Sequence, residues 1–255
     1  MKRIAFHVNS SKPSAPDVRN RLAECAGKCG IAVVDAAASP DVVVVLGGDG
    51  TMLSAVHLYP GTPLLGLNLG SLGYLASVEE VNFDAAIAAL AEGRYTISFR
   101  TALRTRGVNA LNDVVVSRGV SGHAIRLAFS VDGEPVTRFV ADGLVVATPT
   151  GSTAYSLSAG GPVLEPSLDC LCLTPICPHT LTSRPVIFRG DSVIRLSNIL
   201  SKGTSVYVTA DGRDVFALNE GDIISIKRSA HTTKLIRIKD SGFLGVLHAK
   251  LSENQ

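Results

Sequence analysis

The stretch VVVVLGGDGTML at residues 42–53 constrains the fold more than any other. Four valines and a leucine in succession leave no polar face, so they suit a strand covered on both sides, as in a parallel sheet. The run stops at Gly47 and Gly48, and Asp49 stands before Gly50 and Thr51. Glycines at the carboxyl end of a buried strand let backbone approach a ligand and leave N–H groups to meet phosphate oxygens. Open α/β sheets bind ligands at that edge. Asp49 is the odd member, because a carboxylate repels phosphate. It makes chemical sense as an acceptor for a hydroxyl, orienting or deprotonating a nucleophile while a metal neutralises the phosphates. In a plain turn it would only tolerate an unusual backbone angle. The spacing fits neither a Walker loop nor a G-x-G-x-x-G fingerprint.

Around this stretch, strand-like and helix-like patterns alternate. IAFHV (4–8), IAVV (31–34) and PLLGLN (63–68) read as strands, and Pro16 to Lys28 and 84–93 as helices ended by glycine. An open, Rossmann-like three-layer α/β domain over 1–98 follows. Beyond residue 98 short strand-like runs dominate: NDVVVSR, AIRLAFSV, GLVVATP, SVIRLS, TSVYVTA and DIISIKR. Asp-Gly in VDGEPV and TADGRDV favours tight hairpins. Residues 99–239 are therefore expected to form a mainly β, sandwich-like domain. FLGVLHAKL (243–251) suggests a helix, and 240–255 is expected to complete the first domain.

With 255 residues, 46% hydrophobic and a net charge of +2, the chain can build a substantial core. It has no basic block, no tryptophan and few aromatics, so nucleic acid and anionic membrane are not expected partners. No apolar run approaches the roughly 20 residues that span a bilayer. The N-terminal MKRIAFHVNS reads as a strand rather than a secretory segment, and five cysteines read as reduced thiols in a cytoplasmic protein.

Two further segments resemble binding loops. NLGSLGYL (68–75) repeats the strand-then-glycine design, and its Tyr74 would either wall a planar ligand or pack in the core. DGLVVATPTGSTAYSLSAGGP (142–162) carries six hydroxyls, on Thr148, Thr150, Ser152, Thr153, Ser156 and Ser158. Hydroxyls and N–H groups at a helix start can hold phosphate or sugar oxygens, whereas helix capping would explain only one of them.

GGDGT, NLGSLGYL, LNDVVVSRG, DGLVVATPTGSTAYSLSAGGP and LTPICPHTL, in that order, resemble the NAD kinase family along nearly the whole chain. GGDGT alone is shared with diacylglycerol, sphingosine and 6-phosphofructokinases; the Thr/Ser/Gly block and LTPICPHTL are more specific. The resemblance implies transfer of a phosphoryl group from ATP or polyphosphate to the 2′-hydroxyl of the adenosine ribose of NAD, giving NADP. It implies a divalent metal, magnesium being expected, and a homodimer or homotetramer. Asp49 would be the proton acceptor, Gly47, Gly48 and Thr51 the phosphate loop, and Gly50 and Tyr74 neighbours of the nucleotide. Asn112, Asp113, His123, Asp142, Thr153, Ala154, Tyr155, Ser156, Ser158 and Arg213 would bind the substrate. Asp113 stands where glutamate is common, Val140 where several members have arginine, and Arg213 where glutamine is frequent. A lipid kinase sharing GGDGT and a non-catalytic dinucleotide sensor are the rival readings.

Cys170, Cys172, Cys177 and His179 have a spacing that could hold zinc. Cys177 and His179 belong to LTPICPHTL, however, and Cys170 and Cys172 would share one strand face, so packing is expected. Cys25 and Cys29, four residues apart, are expected to pack on a helix.

Overall fold

The structure is a computed structural model that describes residues 2–76, 78–120, 123–180, 183–201, 203–238 and 243–252. Leu181 at the end of LTPICPHTL, and residues 240–242 and 253–255 of the C-terminal segment, lie outside them. The chain divides into two compact units, Met1–Phe99 with Thr233–Gln255, and Arg100–Thr232.

The first unit runs β1 (Arg3–Val8), α1 (Ala15–Lys28), β2 (Ala32–Val33), β3 (Val42–Leu46), α2 (Asp49–Leu58), β4 (Leu64–Asn68), β5 (Val78–Glu79), α3 (Phe83–Glu92) and β6 (Thr96–Arg100). Its sheet has the order β2-β1-β3-β4, continued by Thr233–Arg237 and β6, with β5 also on β4. β1, β3 and β4 pair in parallel, from Ile4↔Val42 to Leu46↔Leu67. All five residues of β3 and of β4 are buried, as their unbroken apolar runs require. Val42, Val44, Leu46, Leu65 and Leu67 pack on Leu22 of α1 and Phe83, Ile87 and Leu90 of α3. Gly66 points to the opposite face, towards Met52 of α2, so helices cover both sides. Pro in the first turn of α1 and Gly93 (φ 72°) after α3 mark helix ends. Since β2 and β3 flank β1, the strand order reverses at β1, which opens a crevice beyond the carboxyl ends of β1 and β3.

Two elements differ from the sequence reading. GGDGT is a strand-to-helix junction rather than a turn: Gly48 caps α2 and Asp49 begins it. Strand Thr233–Arg237, read as part of the β-rich region, pairs with β4 through Leu235↔Leu64 and belongs to the first unit. Its short β-forming pattern is indistinguishable from those of the strands before it.

The second unit holds two six-stranded sheets. One orders Glu134–Ala141, Ile125–Val131, Ile194–Leu200, Ile223–Arg228, Leu103–Thr105 and Val108–Ala110; the other orders Val186–Arg189, Cys170–Ile176, Gly143–Ala147, Asp113–Arg118, Val206–Ala210 and Arg213–Ala217. Alternate residues such as Ile125, Leu127 and Phe129 in one sheet, and Val114, Val116, Leu144 and Val146 in the other, form one apolar cluster. Both expected Asp-Gly hairpins are present, with left-handed Asp132 (φ 52°) and Gly133 (φ 95°), and Asp211 (φ 51°) and Gly212 (φ 73°). Among the described residues no helix is long and apolar enough to cross a membrane.

A Cβ at Gly66 would lie 2.7 Å from Ala76 Cα and 2.9 Å from Met52 Sδ, whereas one at Gly27 in α1 would meet nothing within 4 Å. Gly66→Ala should therefore lose ~1–3 kcal/mol in denaturant unfolding, and Gly27→Ala should gain up to ~1 kcal/mol. Equal effects of the two would contradict this packing.

Candidate active site

In the first unit the Asp49 carboxylate gathers three consecutive backbone N–H groups of the loop after β4. Tyr74 N–H donates to Oδ2 at 2.9 Å, and Leu75 and Ala76 N–H donate to Oδ1 at 3.0 Å each. An ionised carboxylate has about four lone-pair sites, so among the described residues one on Oδ2 is left over. Glycine is obligatory at position 73, where a Cβ would sit 2.1 Å from Asp49 Oδ1, and at position 47, where it would sit 2.2 Å from Thr51 Oγ1. Gly50 is different: it is exposed and a Cβ there would meet nothing within 4 Å, so packing does not explain its glycine. Asn68, buried at the end of β4, donates from its side-chain amide to the Ser71 carbonyl and shapes the same loop. A cleft of about 270 Å³ lies here, lined by Asp49, the glycine-rich loop and the side chains of Lys12 and Lys250.

Tyr74 is half-buried, its ring 6.1 Å from that of Phe243 on the C-terminal helix Phe243–Ser252. The Arg237 guanidinium donates to the Tyr74 carbonyl at 3.2 Å. Burial lowers the pKa of Arg237, opposed by the nearby Asp49 charge; burial and then Asp49 raise that of Tyr74.

In the second unit Asp113 opens the central strand Asp113–Arg118 with Asn112 just before it, and a residue the sequence reading passed over holds both. Asp211 accepts N–H bonds from Leu111 (2.8 Å), Asn112 (2.7 Å) and Asp113 (3.3 Å). From the other side, Thr148 Oγ1 donates to the Leu111 carbonyl at 2.7 Å and Thr148 N–H to the Asn112 carbonyl at 2.8 Å. A Cβ on Gly151 would stand 2.0 Å from the Asn112 oxygen. Asp113 is only 4% exposed, and burial and then the Asp211 charge push its pKa up to about 7.

The hydroxyl block divides. Thr148, Thr150, Ser152 and Ser156 are buried. Ser152 Oγ donates to the Pro149 carbonyl at 2.7 Å and accepts from Leu164 N–H at 2.9 Å, and Ser156 Oγ lies 2.9 Å from Thr174 Oγ1. Most of these hydroxyls thus tie the loop together, because each would otherwise be a buried polar group without a partner. Thr153 and Ala154 are half-buried, and Tyr155 and Ser158 are exposed.

Asp142 is paired with Arg118, which donates from Nε to Oδ1 at 2.7 Å and from Nη2 to Oδ2 at 3.2 Å. That bidentate bond holds the Asp142 carboxyl below its usual range. Arg118 was also missed, although it stands out as the cation of an apolar strand. His123 is exposed and anchored through its N–H to Thr204 Oγ1 at 3.0 Å; Arg213 is exposed beside the Asp211–Gly212 turn.

Cys170 and Cys172 share one face of strand Cys170–Ile176 and pack with Val145 and Ala147. Cys177 and His179 are exposed. No group of three or more His, Cys, Asp or Glu side chains among the described residues is placed to hold a metal ion.

A family model described as the ATP-NAD kinase N-terminal domain matches residues 35–95, and one described as the ATP-NAD kinase C-terminal domain matches residues 111–238. An NAD kinase of Geotalea daltonii is 44% identical over 222 residues, covering 83% of this chain and 78% of that protein. One of Symbiobacterium thermophilum is 38% identical over 282 residues, covering 99% of both. Among solved structures, yeast NADH kinase complexed with NADH superposes with a TM-score of 0.85 at 27% identity, covering 100% of this chain and 89% of that one. An NAD kinase from Archaeoglobus fulgidus in complex with ATP gives 0.84 at 26% identity, covering 97% and 99%. Two matched domains and relatives spanning the full chain place this protein in the NAD kinase family.

Proposed function

We propose that the protein phosphorylates NAD on the 2′-hydroxyl of its adenosine ribose, with ATP or polyphosphate as donor. The observation that carries this reading is the Asp49 carboxylate, fixed by three N–H bonds in a glycine-lined cleft with a lone pair to spare. In the reaction the ribose hydroxyl gives its proton to Asp49 as its oxygen attacks the terminal phosphorus. The bond from that phosphorus to the bridging oxygen breaks, and the shortened donor leaves. Lys12 and Lys250 line the same cleft and supply the positive charge that phosphoryl transfer needs. Gly47, Gly48 and Thr51 form the junction that lets backbone approach the phosphates, and Gly50 leaves open space beside it.

Nucleotide binding is assigned to Asn112 and Asp113, with the exposed Tyr155 and Ser158 and their half-buried neighbours Thr153 and Ala154. Asp142, His123 and Arg213 complete the assignment. Ser156, bonded to Thr174, supports this loop from beneath. Among the described residues no cluster of carboxylates is placed to hold a metal ion, so magnesium would be carried on the donor's phosphates and would neutralise part of their charge. A homodimer or homotetramer and a cytoplasmic location, where the five free cysteines stay reduced, belong to the same reading.

Purified protein given NAD, ATP and magnesium should form NADP, read by a coupled NADP-specific dehydrogenase; polyphosphate in place of ATP tests the donor. Asp49→Asn should cut kcat by ~10²–10⁴-fold. It also turns one accepting oxygen into a donor facing an N–H, so stability should fall by ~1–3 kcal/mol. Full activity in that variant would sink the proton-acceptor role. Gly73→Ala, which displaces the carboxylate without removing it, should lower kcat while NAD still binds; unchanged turnover there would mean the position of Asp49 does not matter.

A further inference from the structure

We infer that Asp211 is a positioning residue for the dinucleotide: from the tip of a hairpin it clamps the main chain of Leu111–Asp113 and so fixes the points from which the Asn112 and Asp113 side chains reach the ligand. The inference rests on the reading that Asn112 and Asp113 touch the nucleotide.

The backbone bookkeeping carries it. Every N–H and every carbonyl from Leu111 to Asp113 has a partner on Asp211 or Thr148. The three N–H groups go to the Asp211 carboxylate. The Leu111 carbonyl accepts from Thr148 Oγ1, the Asn112 carbonyl from Thr148 N–H, and the Asp113 carbonyl from Asp211 N–H at 3.0 Å. A segment whose every main-chain N–H and carbonyl is bonded cannot rotate without breaking several bonds at once. The Cα–Cβ directions of Asn112 and Asp113 are therefore fixed. Asp211 lies about a hundred residues away in the chain, so this is not local turn chemistry.

The unit provides an internal contrast. Asp132–Gly133 is a turn with the same left-handed pair of residues, but Asp132 gathers a single N–H, that of Val193 at 2.8 Å. A turn of this type therefore needs no threefold clamp.

The clamp also places two carboxylates together. Burial and Asp211 are the two causes that raise Asp113 to about 7. An ionised Asp113 accepts hydrogen bonds from ribose hydroxyls, and a protonated one loses acceptor capacity. Affinity for NAD should then rise with pH through about 7. Removing the Asp211 charge leaves burial as the remaining cause, so the transition moves to lower pH.

The test uses the full chain and its Asp211→Asn, Asp132→Asn and Asp113→Asn variants, with KM for NAD and kcat measured across pH 5.5–9. Asparagine before glycine is itself favoured in such turns, so the hairpin survives the first two changes. Asp211→Asn should raise KM for NAD ~10-fold, the equivalent of ~1.4 kcal/mol, with little change in kcat. Its inflexion in kcat/KM, which reports the free enzyme, should move acidward. Asp132→Asn should leave both quantities as in the parent. An Asp211→Asn protein with the parent's KM and inflexion overturns the clamp, as does an Asp132→Asn protein that shifts them equally. Should Asp113→Asn raise KM while Asp211→Asn does not, the clamp alone fails. An unchanged KM in Asp113→Asn would instead remove the nucleotide reading of Asp113, and the inference with it.

Discussion

A carboxylate accepting from three successive backbone N–H groups is the interaction on which both units depend. Consecutive N–H groups in a loop point roughly the same way, and no strand or helix ladder satisfies them. Left alone and partly buried, each would cost free energy comparable to a lost hydrogen bond. Asp49 does this for Tyr74, Leu75 and Ala76, and Asp211 for Leu111, Asn112 and Asp113. Bonds to a charged acceptor are roughly twice as strong as neutral ones, so one side chain can fix three residues of loop. Close approach then dictates the small residues: Gly73 beside Asp49, and Gly151 over the Asn112 carbonyl.

The regular structure around each clamp makes it possible. In the first unit, β3 and β4 are buried along their whole length and end side by side, so the loops that leave them emerge at one edge. The glycine-rich loop can then return over the start of α2, where Asp49 waits. In the second unit, the strands Asp113–Arg118 and Val206–Ala210 are neighbours, paired through Val114↔Ala210. The turn that follows Ala210 therefore arrives beside the residues that precede Val114. Sheet register, not loop flexibility, brings Asp211 to its target.

That dependence on register explains what could be read from the sequence. The valine run, the period-2 strands, the glycine helix stops and the two Asp-Gly hairpins are local signals, and each appears in the structure where its pattern lies. Asp49 was legible because three glycines isolate it. Asp211 was legible only as a turn residue, because its second role depends on a strand pairing between distant segments. Arg118, the partner of Asp142, was hidden for the same reason. The hydroxyl block misled in part: composition shows a cluster of Ser and Thr, but not which hydroxyls turn inward. Thr148, Ser152 and Ser156 are spent on carbonyls, an N–H and Thr174, which leaves Thr153 and Ser158 as the more accessible ones.

In the proposed role of proton acceptor, Asp49 would carry two demands that pull in different directions. A clamp works best when every lone pair is engaged, whereas a proton acceptor needs one free. The geometry meets both by dividing the oxygens: Oδ1 takes two N–H bonds, while Oδ2 takes only that of Tyr74. The two bonds on Oδ1 and the one on Oδ2 together fix the carboxylate plane, and with it the direction of the remaining Oδ2 lone pair. An oriented acceptor needs little reorganisation when the proton arrives, which is where preorganised sites gain over water. The same division makes the loop and the chemistry inseparable. On that proposal, any change that loosens residues 73–76 would also turn the acceptor away from its proton.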